Sequence, residues 1–232
     1  MKTASARKKN DQRALVVFSG GQDSTTCLFW AMREYGTASV ETLTFDYGQR
    51  HRIELSAAKQ VADFAGVKNT VLPINTFAAL GGNAITDSKV EVPRSSHSVD
   101  QALPATFVPG RNLVFLTYAA AFAWQRDIRH LVTGVAQTDY SGYPDCRQET
   151  IAALQNCLCL AMERDFEIHT PLMHLSKGQT VELAVELGAL QALGLSHTCY
   201  NGERPPCGNC AACELRAKGF AEAGVADPLL SS

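Results

Sequence analysis

Between Phe18 and Leu28 the chain reads Phe-Ser-Gly-Gly-Gln-Asp-Ser-Thr-Thr-Cys-Leu, an order of residue types suited to holding phosphate. Gly20 and Gly21 let the backbone approach an anion closely, and Ser19, Ser24, Thr25 and Thr26 bring hydroxyl donors. Asp23 stands among them, a carboxylate of the kind that holds Mg²⁺ against nucleotide phosphates. Two cations far along the chain belong to the same chemistry. Arg111, followed by Asn112, opens an apolar helical run, and Lys177 opens another. The positive end of a helix dipole disfavours a cation there, so each position reads as facing an anion. A plain strand–turn–helix corner is the alternative for the glycines, and a surface arginine for Arg111.

The eight cysteines form a second group. Cys207, Cys210 and Cys213 follow a C-x2-C-x2-C pattern, with Cys199 eight residues before it. Four thiolates at these spacings suit tetrahedral zinc and leave no position open for water, so the site reads as structural. Ferredoxin-type iron–sulfur ligation uses similar spacing and stays open as the rival, with free buried thiols as the third reading. Cys157 and Cys159 fall in a helical run and read as small core residues. Cys146, between Asp145 and Arg147, falls in a candidate site loop where a reactive thiol is conceivable.

These groups need elements to position them. Ala14–Phe18 is a short apolar strand that ends at the glycine turn, and a helix then starts near Asp23. Further strands are expected at Ser39–Phe45, Thr70–Ile74 and His130–Val135, with a fifth ending near Ile168–Leu172. Helices are expected at about Ile53–Phe64, Leu113–Trp124, Gln148–Met162 and, capped by Ser176, Lys177–Leu187. This alternation predicts an α/β fold with an open parallel sheet of about five strands and helices on both faces. Ligands gather at the carboxyl ends of such strands. Asp46, Gln49, Arg50 and His51 follow the second strand, and Gly134, Asp139, Tyr140, Asp145 and Arg147 follow the fourth. All of these except Gly134 are candidates for binding substrate, with a solvated surface loop as the alternative for the first group. Residues 75–106 lack periodicity and read as a mobile lid.

The 232 residues, 46% hydrophobic and 19% charged, have the composition of a water-soluble globular protein. A net charge of −2 offers no basic field to recruit a nucleic acid, which favours a small-molecule substrate. Residues 1–13 read as a flexible polar tail. No window approaches the ~20 apolar residues that span a bilayer, so neither a membrane nor a secretory route is expected. A cytoplasmic location follows, where thiols stay reduced.

Taken together, FSGGQDSTTC, FDYGQRH, TFVPGRN, TGVAQTDYSGYPDCR, TPLMHLSKGQT and the TCYNG…CGNCAAC segment resemble the 7-cyano-7-deazaguanine synthase family of queuosine biosynthesis. That family lies within the PP-loop ATP pyrophosphatases, whose SGGxDS loop is matched by SGGQDS. The resemblance implies an adenine nucleotide alpha hydrolase-like, Rossmann-like domain over residues 14–190 and a small helical zinc-binding element over 191–232. It implies a ligase that converts 7-carboxy-7-deazaguanine and ammonia to the nitrile preQ0 through adenylated carboxylate and amide intermediates. ATP would then be held by Phe18, Ser19, Gly20, Gly21, Gln22, Asp23, Ser24, Thr25, Thr26, Cys27, Leu28 and Gly134. Asp23 would hold Mg²⁺, while Lys177 and Arg111 would neutralise phosphate charge. One structural Zn²⁺ per chain on Cys199, Cys207, Cys210 and Cys213 and a homodimer are implied as well. Two rivals remain at this point: a tRNA-modifying enzyme on the same loop, and a zinc-stabilised nucleotide sensor without chemistry.

Overall fold

Five short segments pair into one wholly parallel sheet: β1 (Ala14–Val17), β2 (Val40–Asp46), β3 (Lys68–Pro73), β4 (His130–Val132) and β5 (Glu167–His169). Their order across the sheet is β3-β2-β1-β4-β5. The structure is a computed structural model and describes residues 12–49, 51–86, 90, 103, 105–138 and 143–230. In chain order the helices are α1 (Gln22–Tyr35), α2 (Ile53–Ala65), α3 (Thr76–Leu80), α4 (Arg111–Trp124), α5 (Gln148–Met162), α6 (Lys177–Glu186), α7 (Leu190–Leu193) and α8 (Ala211–Glu222). Among the described residues no helix is long and apolar enough to cross a membrane.

Near-continuous apolar strands are what a sheet covered on both faces requires. Successive residues of β1 go to opposite faces. Leu15 joins Leu43, Leu116, Ala119, Ala123, Leu131 and Leu158 under α4 and α5. Ala14 and Val16 join Leu28, Ala31, Ala58, Val61, Ala62 and Val132 under α1 and α2. Each fully buried Leu or Val side chain among them contributes about 1.5–3 kcal/mol. A third cluster, Val181, Ala184, Leu193 and Phe220, binds α6 and α8 together.

Most elements lie within a few residues of their expected limits; three differences have physical causes. β4 stops at Val132, short of the expected Val135, because Gly134 turns in against α1: a Cβ there would stand 3.1 Å from the Asp23 carbonyl carbon. Residues 75–106 were expected to be structureless, yet α3 forms, and Asn83 Oδ1 accepts the amides of Ile85 (3.1 Å) and Thr86 (3.0 Å) in a local turn. The two flanks of this segment meet where Ala84 N–H donates to Ala105 O at 2.8 Å; residues 87–89, 91–102 and 104, on which much of the expected lid falls, lie outside the described residues. Cys157 is exposed rather than in the core. On α5, Ile151, Leu154, Leu158 and Met162 form the stripe that meets the sheet, and Cys159 packs beside it. Cys157 sits about 100° around the helix from Leu158.

Candidate active site

The strand order reverses at β1, with β2 and β4 on its two sides. In open parallel sheets the crevice at such a reversal, beyond the carboxyl ends of the strands, is where ligands bind. A cleft of about 290 Å³ occupies that place.

The glycine turn forms its floor. Gly20 adopts a φ of +77°, and a Cβ on it would lie 2.4 Å from the Ala58 amide nitrogen, so only glycine fits. Thr25 N–H makes the first helical bond, to Gly21 O at 3.0 Å. The amides of Gln22, Asp23 and Ser24 precede that bond, have no partner within the helix, and belong to residues that border the cleft. Ser19 and Ser24 stabilise the turn: their hydroxyls lie 3.1 Å apart, and Ser24 Oγ donates to Gly21 O at 3.2 Å. Lys177 Nζ reaches Asp23 Oδ2 at 2.7 Å. It does so from the first turn of α6, which Ser176 and Gln179 fix in a reciprocal capping box.

Asp23 Oδ1 is left over. It is buried and makes no hydrogen bond, as are Gln22 Nε2 and Thr25 Oγ1. Three of the five such side-chain atoms among the described residues therefore fall in one four-residue stretch. Buried polar atoms without partners are rare; Gln22 Nε2 and the helix-start amides can donate to an anion, while Asp23 Oδ1 only accepts and calls for a cation or a donor beside it.

The far side of the cleft is aromatic and charged. Tyr47, Phe115 and Tyr143 border it together with Glu54, Arg111 and Asn112. The Arg111 guanidinium stands 5.9 Å from the Tyr47 ring centroid. Burial opposes its charge, but Tyr47, Tyr143, Tyr200 and Asp145 around it outweigh that, so its pKa rises above the ordinary value and it stays a cation. Burial pushes the Glu54 carboxyl up to about 7, with Arg111 pulling the other way. Tyr47 is likewise raised to about 12, by burial first and then by Glu54. Gln49 folds back on its own strand end, accepting the Tyr47 amide at 2.9 Å, and so shapes this wall.

The third wall comes from the C-terminal segment. His197 N–H donates to Gly20 O at 2.9 Å, tying that segment to the glycine turn. Thr198 and Tyr200 face the cleft just before and after Cys199. The sulfurs of Cys199, Cys207, Cys210 and Cys213 lie within 4.8 Å of one another, and those of Cys207 and Cys213 are 3.9 Å apart. A Zn–S distance of about 2.3 Å gives a tetrahedral edge of about 3.8 Å, so this donor set fits zinc. A hydrogen bond from Cys213 draws the Cys210 thiol down to about 4, while the same bond holds the Cys213 proton in place. Arg216 on α8, buried, is held by both carboxylate oxygens of Asp227 (2.6 and 2.8 Å) and by Ser196 Oγ (2.8 Å), which anchors the segment from behind.

Of the residues singled out in the sequence, Phe18, Ser19, Gly21, Gln22, Asp23, Ser24, Gln49, Arg111, Gly134 and Lys177 border the cleft. Gly20 shapes the turn from beneath, and Thr25, Thr26, Cys27 and Leu28 are buried in α1 behind it. Burial also pushes the Cys27 thiol well up, so it is an inert core residue. Asp46 turns away to pair with Arg52 at 2.7 Å. The His51 ring packs against Gly202 in the cysteine segment. Asp145 is buried and accepts from the Asn112 amide and Nδ2, both at 3.1 Å, so it supplies the anion that the start of α4 calls for. Arg147 is exposed, and Arg50, Asp139 and Tyr140 lie outside the described residues. Sequence reasoning did not single out Tyr47, Glu54, Phe115, Tyr143, His197, Thr198 or Tyr200. Glu54, one helical turn past His51, is the one that a helix-start reading could have flagged.

Residues 13–224 match the profile of a family described as queuosine biosynthesis protein QueC. The chain is 67% identical over 221 residues to the 7-cyano-7-deazaguanine synthase of Chromobacterium violaceum, covering 95% of this chain and 94% of that protein. It is 61% identical over 223 residues to the synthase of the same name from Laribacter hongkongensis (96% of each chain). To that of Bacillus subtilis it is 51% identical over 213 residues, 91% of this chain and 94% of the other.

Proposed function

The chain belongs to the QueC family of queuosine biosynthesis, and from that premise we propose that it is a 7-cyano-7-deazaguanine synthase using ATP, 7-carboxy-7-deazaguanine and ammonia. The observation that carries this reading is the pair of unpartnered polar atoms on Gln22 and Asp23, residues that border the cleft beside the free amides of α1. The donors make a receptor for phosphate and the carboxylate one for its counter-cation, and both face, across one cleft, an aromatic wall suited to a flat heterocycle.

In this proposal the β- and γ-phosphates rest on the amides of Gln22, Asp23 and Ser24. Those donors and Lys177 stabilise the charge that grows on departing pyrophosphate, and fixed donors act most strongly where charge develops. Asp23 Oδ1 is the oxygen that would hold Mg²⁺, which supplies charge neutralisation on the phosphates. The substrate carboxylate attacks the α-phosphorus, pyrophosphate leaves, and ammonia then displaces AMP to give the amide and release a proton. A second adenylation, on the amide oxygen, precedes loss of AMP and two protons to leave the nitrile. Arg111, permanently charged, holds the substrate carboxylate or α-phosphate in line, and that alignment lowers the barrier. Tyr47 and Phe115 stack the pyrrolopyrimidine ring. Zn²⁺ on the four cysteines is structural and keeps Thr198 and Tyr200 in the wall. The division into a nucleotide domain, residues 14–190 with a lid at 75–106, and a zinc element, 191–232, belongs to the same proposal. So do a cytoplasmic setting and a homodimer, in which a second copy would cover exposed Tyr118 and Leu160 on α4 and α5.

The test is to incubate the protein with ATP, Mg²⁺, ammonia and the deazaguanine acid, following pyrophosphate and the nitrile by mass spectrometry. Nitrile without any tRNA is expected, and Asp23→Ala is expected to lower turnover by about 100-fold or more, the scale of losing one fixed electrostatic contributor. Release of pyrophosphate only when tRNA is supplied would overturn the proposal, as would unchanged turnover in Asp23→Ala.

A further inference from the structure

Away from the cleft, the β5 edge of the sheet carries three metal-binding side chains on one face. The parallel register pairs His130 with Glu167 and Val132 with His169. Residues two apart on a strand share a face, so His130, Glu167 and His169 all project to the side covered by α1. His130 Nδ1 lies 3.1 Å from His169 Nε2 and 3.3 Å from Glu167 Oε2, and His169 Nε2 lies 3.9 Å from the same oxygen. None of the three borders the cleft.

We propose that His130, Glu167 and His169 form a second metal site, a His2Glu set that takes Zn²⁺ or a similar divalent transition cation. The separations carry the argument. A Zn–N bond of about 2.0–2.1 Å implies a tetrahedral edge of about 3.3–3.4 Å, and the three measured edges bracket it. Hydrogen bonding alone accounts for the cluster poorly. His169 Nε2 has His130 Nδ1 at 3.1 Å and the Tyr35 hydroxyl at 3.0 Å, with the carboxylate oxygen beyond. A neutral ring nitrogen has one proton or one lone pair to offer, not a partner for each of these. A cation at the centre gives every lone pair the same target. Aromatic neighbours brace both rings, since His169 packs on Trp30 at 5.5 Å between centroids and His130 on Tyr35 at 5.0 Å. Such outer packing fixes ligand orientation. Three protein ligands leave a fourth position, beside the Tyr35 hydroxyl, for water. The chemistry separates the two sites: soft thiolates at the cysteine quartet, imidazole and carboxylate here. A cation at this site would clamp edge strand β5 to β4.

The experiment uses tag-free, full-length protein already holding one zinc on its cysteines. Zinc is then added, metal per chain is measured after gel filtration, and the imidazole ¹⁵N resonances are followed. The expected result is a second zinc per chain with shifts at two histidines. Glu167→Gln, at an exposed position, is expected to weaken that second equivalent at least as much as loss of an outer partner does, roughly 10–100-fold, and His169→Ala to abolish it. Cobalt substitution adds an independent readout. The second equivalent should show ligand-field bands without the thiolate charge transfer of the first. A stoichiometry that stays at one, or a second equivalent that survives in Glu167→Gln and His169→Ala unchanged, overturns the proposal.

Discussion

Glu54 sits in the first turn of α2, half-buried beside Arg111 and Tyr47, and it is the carboxyl in the cleft whose protonation responds to neutral pH. Its ordinary value is 4.5, and burial raises it to about 7. Below 4.5 the group is neutral in folded and unfolded chains alike. Between there and about 7 the unfolded chain gives up the proton that the folded chain keeps, so this residue makes stability fall as pH rises. Glu54→Gln is therefore expected to flatten the decline, and urea midpoints taken from pH 4.5 to 7.5 check it; parallel curves for the two proteins would refute the assignment. Neither that titration nor the neighbourhood of Arg111 could be read from the sequence, because Glu54, Arg111, Tyr143 and Tyr200 converge only through the fold. Asp23 and the glycine turn were legible, because their chemistry is local: strand end, turn and helix start are consecutive. Asp145 reads as a substrate group from its place in a site loop, and its bonds to the start of α4 through Asn112 were not legible in the sequence.

At the level of elements, α6 and α8 touch through glycines. Gly178 faces Glu222, and a Cβ on Gly219 would lie 3.0 Å from Lys177 O and 3.1 Å from its carbonyl carbon. Gly219 lies inside α8, where alanine would ordinarily gain roughly 1 kcal/mol in helix propensity. The opposing contact is with backbone, which does not yield as a flexible side chain does. Gly219→Val is expected to destabilise by about 1–3 kcal/mol as an overpacked contact. It should also slow pyrophosphate release, since the residue displaced is the one whose Nζ holds Asp23. A variant with wild-type denaturation midpoint and wild-type rate would mean that α8 does not position Lys177. The helices themselves were legible from apolar periodicity and from the Ser176 cap. Their mutual approach was not, since a glycine in a helix announces no partner.

For the molecule as a whole, the zinc proposed for the cysteine quartet would hold the segment from 191 to 232 in place. Cys210→Ser is expected to lose the cysteine-bound zinc. Where free zinc stands about 1,000-fold above its dissociation constant, ligation stabilises the folded state by about 4 kcal/mol. For a chain of this size that corresponds to a fall of about 8–16 °C in thermal midpoint. Calorimetry with metal analysis checks it, and an unchanged midpoint with zinc retained would contradict a structural role. This quartet was legible because metal spacing survives without any knowledge of the fold. The His130, Glu167 and His169 set was not, since only the β4–β5 register brings residues some forty positions apart together.

The bond from the His197 amide to the Gly20 carbonyl joins the glycine turn to a segment translated long after it. A nascent chain still short of residue 197 lacks that brace, and the Thr198 and Tyr200 wall with it. In the proposed enzyme such a chain would carry the whole glycine turn with its Ser19 and Ser24 bonds, but not the wall that completes the cleft around ATP.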